Sequence, residues 1–134
     1  MSLVPDLGAS PAAILAAFRG EVIAARVGHP DVLQLEVVGS DRGRWLFVTQ
    51  DAEWRPADPS RLVGRTLEGL TLDPRTGELA LELSGDGQLR VVPAAPAAPD
   101  DPPSWELLTP DRIQLEFGPG IRWRISAADD PLSP

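Results

Sequence analysis

The sequence predicts a mainly β fold: an antiparallel meander, sandwich or half-open barrel of about eight or nine strands with one short N-terminal helix. Three observations carry this reading. Apolar residues alternate at a period of two through VLQLEVV (32–38), LALEL (79–83) and IQLEF (113–117). Glycine- and proline-rich turn signals separate such runs at short intervals, as strands joined by hairpins require. Pairing the runs across their loops sets leucine opposite leucine and acid opposite arginine, so patterning and turns agree on one architecture.

The elements follow in chain order. Ser10 followed by Pro11 marks a helix start, and Gly20 a stop, giving a helix over Pro11–Arg19 with Ile14, Leu15 and Phe18 on one face. Strands are expected at Glu21–Val27, Val32–Val38 and Arg44–Thr49, with turns at Gly28-His29-Pro30-Asp31 and across Gly39–Gly43. Asp51–Leu62 reads as a proline-interrupted connector with one helical turn at Pro59–Leu62.

The second half repeats the style. Strands are expected at Arg65–Leu72 and Glu78–Ser84, with Leu72 opposite Leu79 and Leu70 opposite Leu81. Across Gly85-Asp86-Gly87, Leu83 is set against Leu89, Leu81 against Val91 and Glu82 against Arg90, with Gly87 as the left-handed residue. Pro93–Pro103, PAAPAAPDDPP, cannot lie inside a sheet and is expected as a surface loop. The last strands are Trp105–Thr109, Ile113–Phe117 and Ile121–Ile125. Across Gly118-Pro119-Gly120, Phe117 faces Ile121, Leu115 faces Trp123, Ile113 faces Ile125 and Glu116 faces Arg122.

A length of 134 residues is expected to form a single domain, 1–134, with blocks at 20–63 and 64–125 and a frayed tail at 126–134. The blocks can be laid on one another with Gly20 on Gly64 and Leu33, Leu35 and Val37 on Leu79, Leu81 and Leu83. Such a match reads either as a duplicated meander or as the likeness of any two meanders with similar turns.

Composition bounds the function. Cysteine is absent, which excludes a disulfide scaffold and thiolate metal sites. The formal net charge is −8, with 6 Arg against 8 acids in residues 1–63 and 6 Arg against 12 acids in residues 64–134. That balance repels phosphate backbones, so nucleic acid is not an expected partner. No apolar run approaches a membrane span, and the N-terminus lacks the charged start of a secretory signal; a cytoplasmic location is expected.

No arrangement of residues marks catalysis, and the chain is expected not to be an enzyme. His29, the one histidine, has Asp31 beside it, but no cysteine or serine elbow supplies a nucleophile. Glu78, Glu82 and Glu116 fall on outward strand positions rather than across an apolar cleft. Asp86 between two glycines lacks the alternating ligands of a calcium loop, and the glycine turns open no helix that would cradle phosphate. No cofactor and no metal is expected.

Tryptophan is the remaining signal: Trp45, Trp54, Trp105 and Trp123 in a chain without tyrosine. Trp54 lies in the acidic connector, where it either plugs the core or anchors a partner. The expected partner surface comprises Trp54, Trp45, Asp51, Glu53 and Asp58, and the expected partner is another protein or a second copy of the chain.

Two motifs carry a resemblance: LALELSGDGQL at Leu79–Leu89, and WELLTPDRIQLEFGPGIRW at Trp105–Trp123. With them the C-terminal half resembles small, uncharacterised bacterial proteins of the immunity-protein-like type. The motif glycines and prolines would be Gly85, Gly87, Pro110, Gly118, Pro119 and Gly120. The resemblance implies a β fold and a non-catalytic, immunity-like or regulatory protein-binding role; a homo-oligomeric structural module and a small hydrolase are the alternatives.

Overall fold

The computed structural model describes residues 10–28, 32–49, 52–55, 59–73, 75–85, 87–93, 103–118 and 123–127. Among the described residues the expected mainly β architecture is present as ten antiparallel strands in one open sheet, preceded by one short helix. The helix α1 spans Pro11–Ala17. Ser10 caps it, its hydroxyl accepting the Ala13 N–H at 3.1 Å, and Pro11 occupies the first turn, where a missing N–H costs nothing. It ends two residues before the Arg19 boundary expected from sequence, because Phe18 leaves helical geometry to bury its ring.

The strands are β1 (Gly20–Gly28), β2 (Val32–Val38), β3 (Arg44–Thr49), β4 (Ala52–Arg55), β5 (Thr66–Leu72), β6 (Leu79–Leu83), β7 (Gly87–Pro93), β8 (Trp105–Leu108), β9 (Ile113–Phe117) and β10 (Trp123–Ala127). A 3-10 turn lies at Pro59–Leu62, as expected. Their order across the sheet is β10-β9-β8-β3-β2-β1-β5-β6-β7-β4.

That order contains an exchange. Strands β1, β2 and β3 form a meander, as do β5, β6 and β7, and the two meet antiparallel at β1 and β5. Each following strand then crosses to the other meander: β4 pairs with β7, and β8 pairs with β3. The junction has local two-fold geometry. Gly20 faces Leu67 and Glu21 faces Thr66, while the Val22 N–H bonds the Arg65 carbonyl at 2.9 Å. Bulges fall at matching places, between Val22 and Ala24 in β1 and between Leu67 and Gly69 in β5. Each bulge turns its strand away from the other, so the pairing of β1 with β5 stops after two residues. The 3-10 turn then runs beside β1, and α1 lies near β5.

One face of the sheet carries the core. Leu33, Leu35 and Val37, then Leu79, Leu81 and Leu83, then Leu107 and Leu115 alternate inward, with Phe18, Phe47, Trp105 and Phe117 filling the centre. Each such fully buried side chain contributes about 1.5–3 kcal/mol of transfer free energy. A single sheet can bury one face only by curling on itself, and the β5–β6 turn at Gly77 accordingly reaches the ring of Phe117 on β9. Thr49 is the buried polar exception on β3; its hydroxyl accepts the Leu33 N–H at 3.0 Å.

The pairing of Leu70 with Leu81 and Leu72 with Leu79 is as expected. Two other registers differ from expectation by two residues. In the β6–β7 hairpin, Leu81 faces Leu89, Leu79 faces Val91, Leu83 faces Gly87 and Glu82 faces Gln88. The left-handed residue is therefore Gly85, at φ +71°, and not Gly87. The cause is distant in sequence: the Arg65 guanidinium donates to the carbonyls of Ser84 and Gly85 at 2.6 and 2.8 Å and clamps the tight turn. Arg90, released from Glu82, pairs instead with Glu78. In the last hairpin Phe117 faces Trp123, Leu115 faces Ile125 and Glu116 faces Arg124, giving an ion pair at 3.7 Å. The strand thereby takes in Ser126 and Ala127, where a frayed tail was expected.

The largest departure is β4. The expected connector contains a strand, because Ala52 and Trp54 pack toward the core while Glu53 and Arg55 stay exposed, and β7 offers it an edge. Of the expected Pro93–Pro103 loop, Pro93 closes β7 and residues 94–102 lie outside the described residues.

Candidate functional site

The tryptophans expected at a partner surface do not come together. Trp45 on β3 is 8% exposed, with its ring 5.3 Å from that of Phe18. Trp54 lies on β4, whose sheet neighbour is β7, whereas β3 lies between β2 and β8. Asp51 and Asp58 lie outside the described residues, as do His29, Asp31, Asp86, Pro119 and Gly120. Of the expected surface, Trp54 and Glu53 remain side by side on one strand, joined by Arg55, which the sequence pattern alone does not single out. The signal is present as the alternation in Ala-Glu-Trp-Arg, but four residues ahead of a proline are too few to stand out as a strand.

The strand β4 is an edge of the sheet, and its counterpart shows what an edge in this position can carry. In the exchanged arrangement β4 follows the first meander as β8 follows the second. Trp54 faces Val91 of β7, and Trp105 faces Thr49 of β3. On its other side β8 carries β9, which sets Phe117 opposite Trp105 with stacked rings 5.6 Å apart. Among the described residues β4 has no such second neighbour. Trp105 is accordingly fully buried, and Trp54 only half-buried. Both indole N–H groups are nonetheless buried without an acceptor among the described residues.

Among the described residues the charges on β4 are unmatched. Arg55 sits opposite Arg90, whose guanidinium is already engaged by Glu78. Neither Glu53 nor Arg55 has an ion-pair partner among the described residues, in contrast to Glu36, which takes both Arg26 and Arg44 at 3.8 Å.

Two clefts flank α1. One of about 1000 Å³ is lined by Trp45, Arg19, Asp41, Glu68, Asp111 and Ile113. The other, about 610 Å³, lies between α1, Leu70, Leu72 and Trp123. Trp123 lies edge-on to Phe117 and Trp105, yet is 36% exposed because it belongs to the outermost strand. No three metal-ligating side chains converge among the described residues, and no described helix is long and apolar enough to cross a membrane.

One carboxylate on the outer face, that of Glu116, has altered acidity. Glu106 of β8 and Glu116 of β9 are directly opposite, and Gln114 donates to both, at 2.5 and 3.3 Å. Burial raises the Glu116 carboxyl above its ordinary 4.5, and its hydrogen bond with Glu106 and the Glu106 charge raise it further, against the opposing pull of Arg124. A raised folded-state value means that this group's stabilising contribution is complete below about pH 4.5 and is lost as pH rises through the folded value. Glu116→Gln is therefore expected to stabilise the fold at neutral pH by about 0.5–1 kcal/mol, the scale of a cross-strand like-charge pair. The gain should vanish near pH ~3.5, when both states are protonated. Urea unfolding at the two pH values checks this, and a gain equal at both would contradict it.

Comparison of the chain with protein-family models, curated proteins and solved structures finds no match.

Proposed function

We propose that this is a non-catalytic protein-binding domain, an immunity-like or regulatory partner, that takes up an extended protein segment along the free edge of β4. The observation that supports it is the contrast between the two exchanged strands: β9 lies along β8, and among the described residues nothing lies along the equivalent edge of β4. A strand edge presents a row of backbone donors and acceptors whose needs another strand meets. Strand addition of this kind draws affinity from main-chain hydrogen bonds and specificity from alternate side chains. At β4 those side chains are Trp54 toward the core side and Glu53 and Arg55 toward the outer side.

A photo-crosslinking residue at position 53 is expected to capture a protein in cells that make the chain. The same residue at position 82, in mid-sheet on β6, is expected to capture none. Equal capture at both positions, or none from position 53, would remove the proposal.

A further inference from the structure

We infer that the segment seated on β4 is β4 of a second copy, running antiparallel about a two-fold axis at Trp54. This rests on the strand-addition reading and names its partner. The axis sets Trp54 against Trp54 and places each Glu53 opposite the other copy's Arg55. The sequence Ala52-Glu53-Trp54-Arg55 is complementary to itself only in this register. Centring the pair on Glu53 would bring two carboxylates together, and centring it on Arg55 would bring two guanidinium groups together. Like charges directly opposite destabilise a strand pair, so the alternatives are selected against.

Three features of the single chain are accounted for together. Arg55 faces Arg90 on its β7 side and has no acid among the described residues; the copy's Glu53 lies on its open side. Glu53 in turn gains the guanidinium that it lacks among the described residues. Trp54 is half-buried where its counterpart Trp105 is fully buried under the stacked Phe117 ring, and a second indole supplies equivalent aromatic cover. The resulting sheet is continuous across two copies, and its interface is isologous, as a two-fold axis demands.

The net charge of −8 on each copy slows encounter. At physiological salt that long-range repulsion is screened beyond about 8 Å, whereas the Glu53–Arg55 contacts act within that distance. A four-residue strand buries little area, so the dimer is reversible and of the transient class.

Sedimentation of the full chain across a dilution series tests this. The wild-type chain is expected to shift from dimer toward monomer on dilution. Glu53→Arg and Arg55→Glu are each expected to weaken self-association about tenfold or more, since both ion pairs become repulsions. Mixing the two variants in equal amounts is expected to restore association. The arginine introduced at position 53 of one then faces the glutamate introduced at position 55 of the other, and the remaining native Arg55 faces the remaining native Glu53. Both positions are exposed, and thermal unfolding of each variant checks that the fold persists. A wild-type chain that stays monomeric throughout, a dimer indifferent to both reversals, or a mixture that fails to recover would overturn the inference. Capture of a foreign protein from position 53, with a monomeric chain in sedimentation, would leave the strand-addition reading standing and sink the self-pairing alone.

Discussion

Trp105→Ala is expected to cost about 3–5 kcal/mol, a large part of the about 5–15 kcal/mol that holds a domain folded. The ring is fully buried and sits at the centre of an aromatic row, with centroids 5.7 Å from Phe47, 5.6 Å from Phe117 and 5.7 Å from Trp123. Those neighbours come from three strands, β3, β9 and β10, so they cannot all collapse into the space left behind. Trp105→Phe should behave differently. It keeps the stacking on Phe117 and removes an indole N–H that has no acceptor among the described residues. Burying such a donor costs about 1–3 kcal/mol, and losing it offsets the smaller ring. The phenylalanine variant is therefore expected within about 1 kcal/mol of wild type. Urea unfolding followed by circular dichroism compares the two. A phenylalanine variant as damaged as the alanine one would mean that the N–H does find an acceptor in solution.

Gly20→Ala is expected to lose about 3 kcal/mol or more, for a reason that has nothing to do with the core. Gly20 joins α1 to β1 at φ +147°, a conformation that a side chain strongly disfavours. A Cβ there would overlap the Val38 carbonyl and the Gly39 Cα, all backbone atoms that no rotamer change can move. Gly64, in the turn ahead of β5, has φ +92° with nothing within 4 Å of where a Cβ would stand. Gly64→Ala should therefore carry the conformational cost alone, about 1–2 kcal/mol. Thermal unfolding of the pair separates steric overlap from backbone strain. Equal losses at the two sites would contradict the assignment.

The inside–outside pattern was legible in the sequence because alternation is a local property. Leu33, Leu35, Val37, Leu79, Leu81 and Leu83 are inward as their spacing requires. Register was legible only up to a slip of two residues. Such a slip keeps every leucine on its face, so Leu81 against Leu89 and Leu81 against Val91 look equally good to a reader of pattern. Arg65 breaks the tie by clamping the Ser84 and Gly85 carbonyls, and nothing near the hairpin in sequence announces that contact. At the candidate site, Trp54 and Glu53 were legible as unusual residues in an acidic stretch. Their strand was not, since the edge that Ala52–Arg55 joins belongs to β7, whose Val91 and Val92 are far along the chain.

Alone, the sequence determined a mainly β chain of acidic composition, the rough places where its strands break, and the face that residues of the recognised strands take. These follow from side-chain chemistry repeating at a period of two, whichever strand lies alongside. The tertiary structure alone decided that β4 crosses to β7 and β8 to β3, and hence that β4 is left as an edge while β8 is covered. Hydrophobic periodicity is the same for any antiparallel neighbour. The choice of neighbour is made only when the inner face of the open sheet packs around Phe18, Phe47, Trp105 and Phe117, and that packing draws on strands from both halves of the chain.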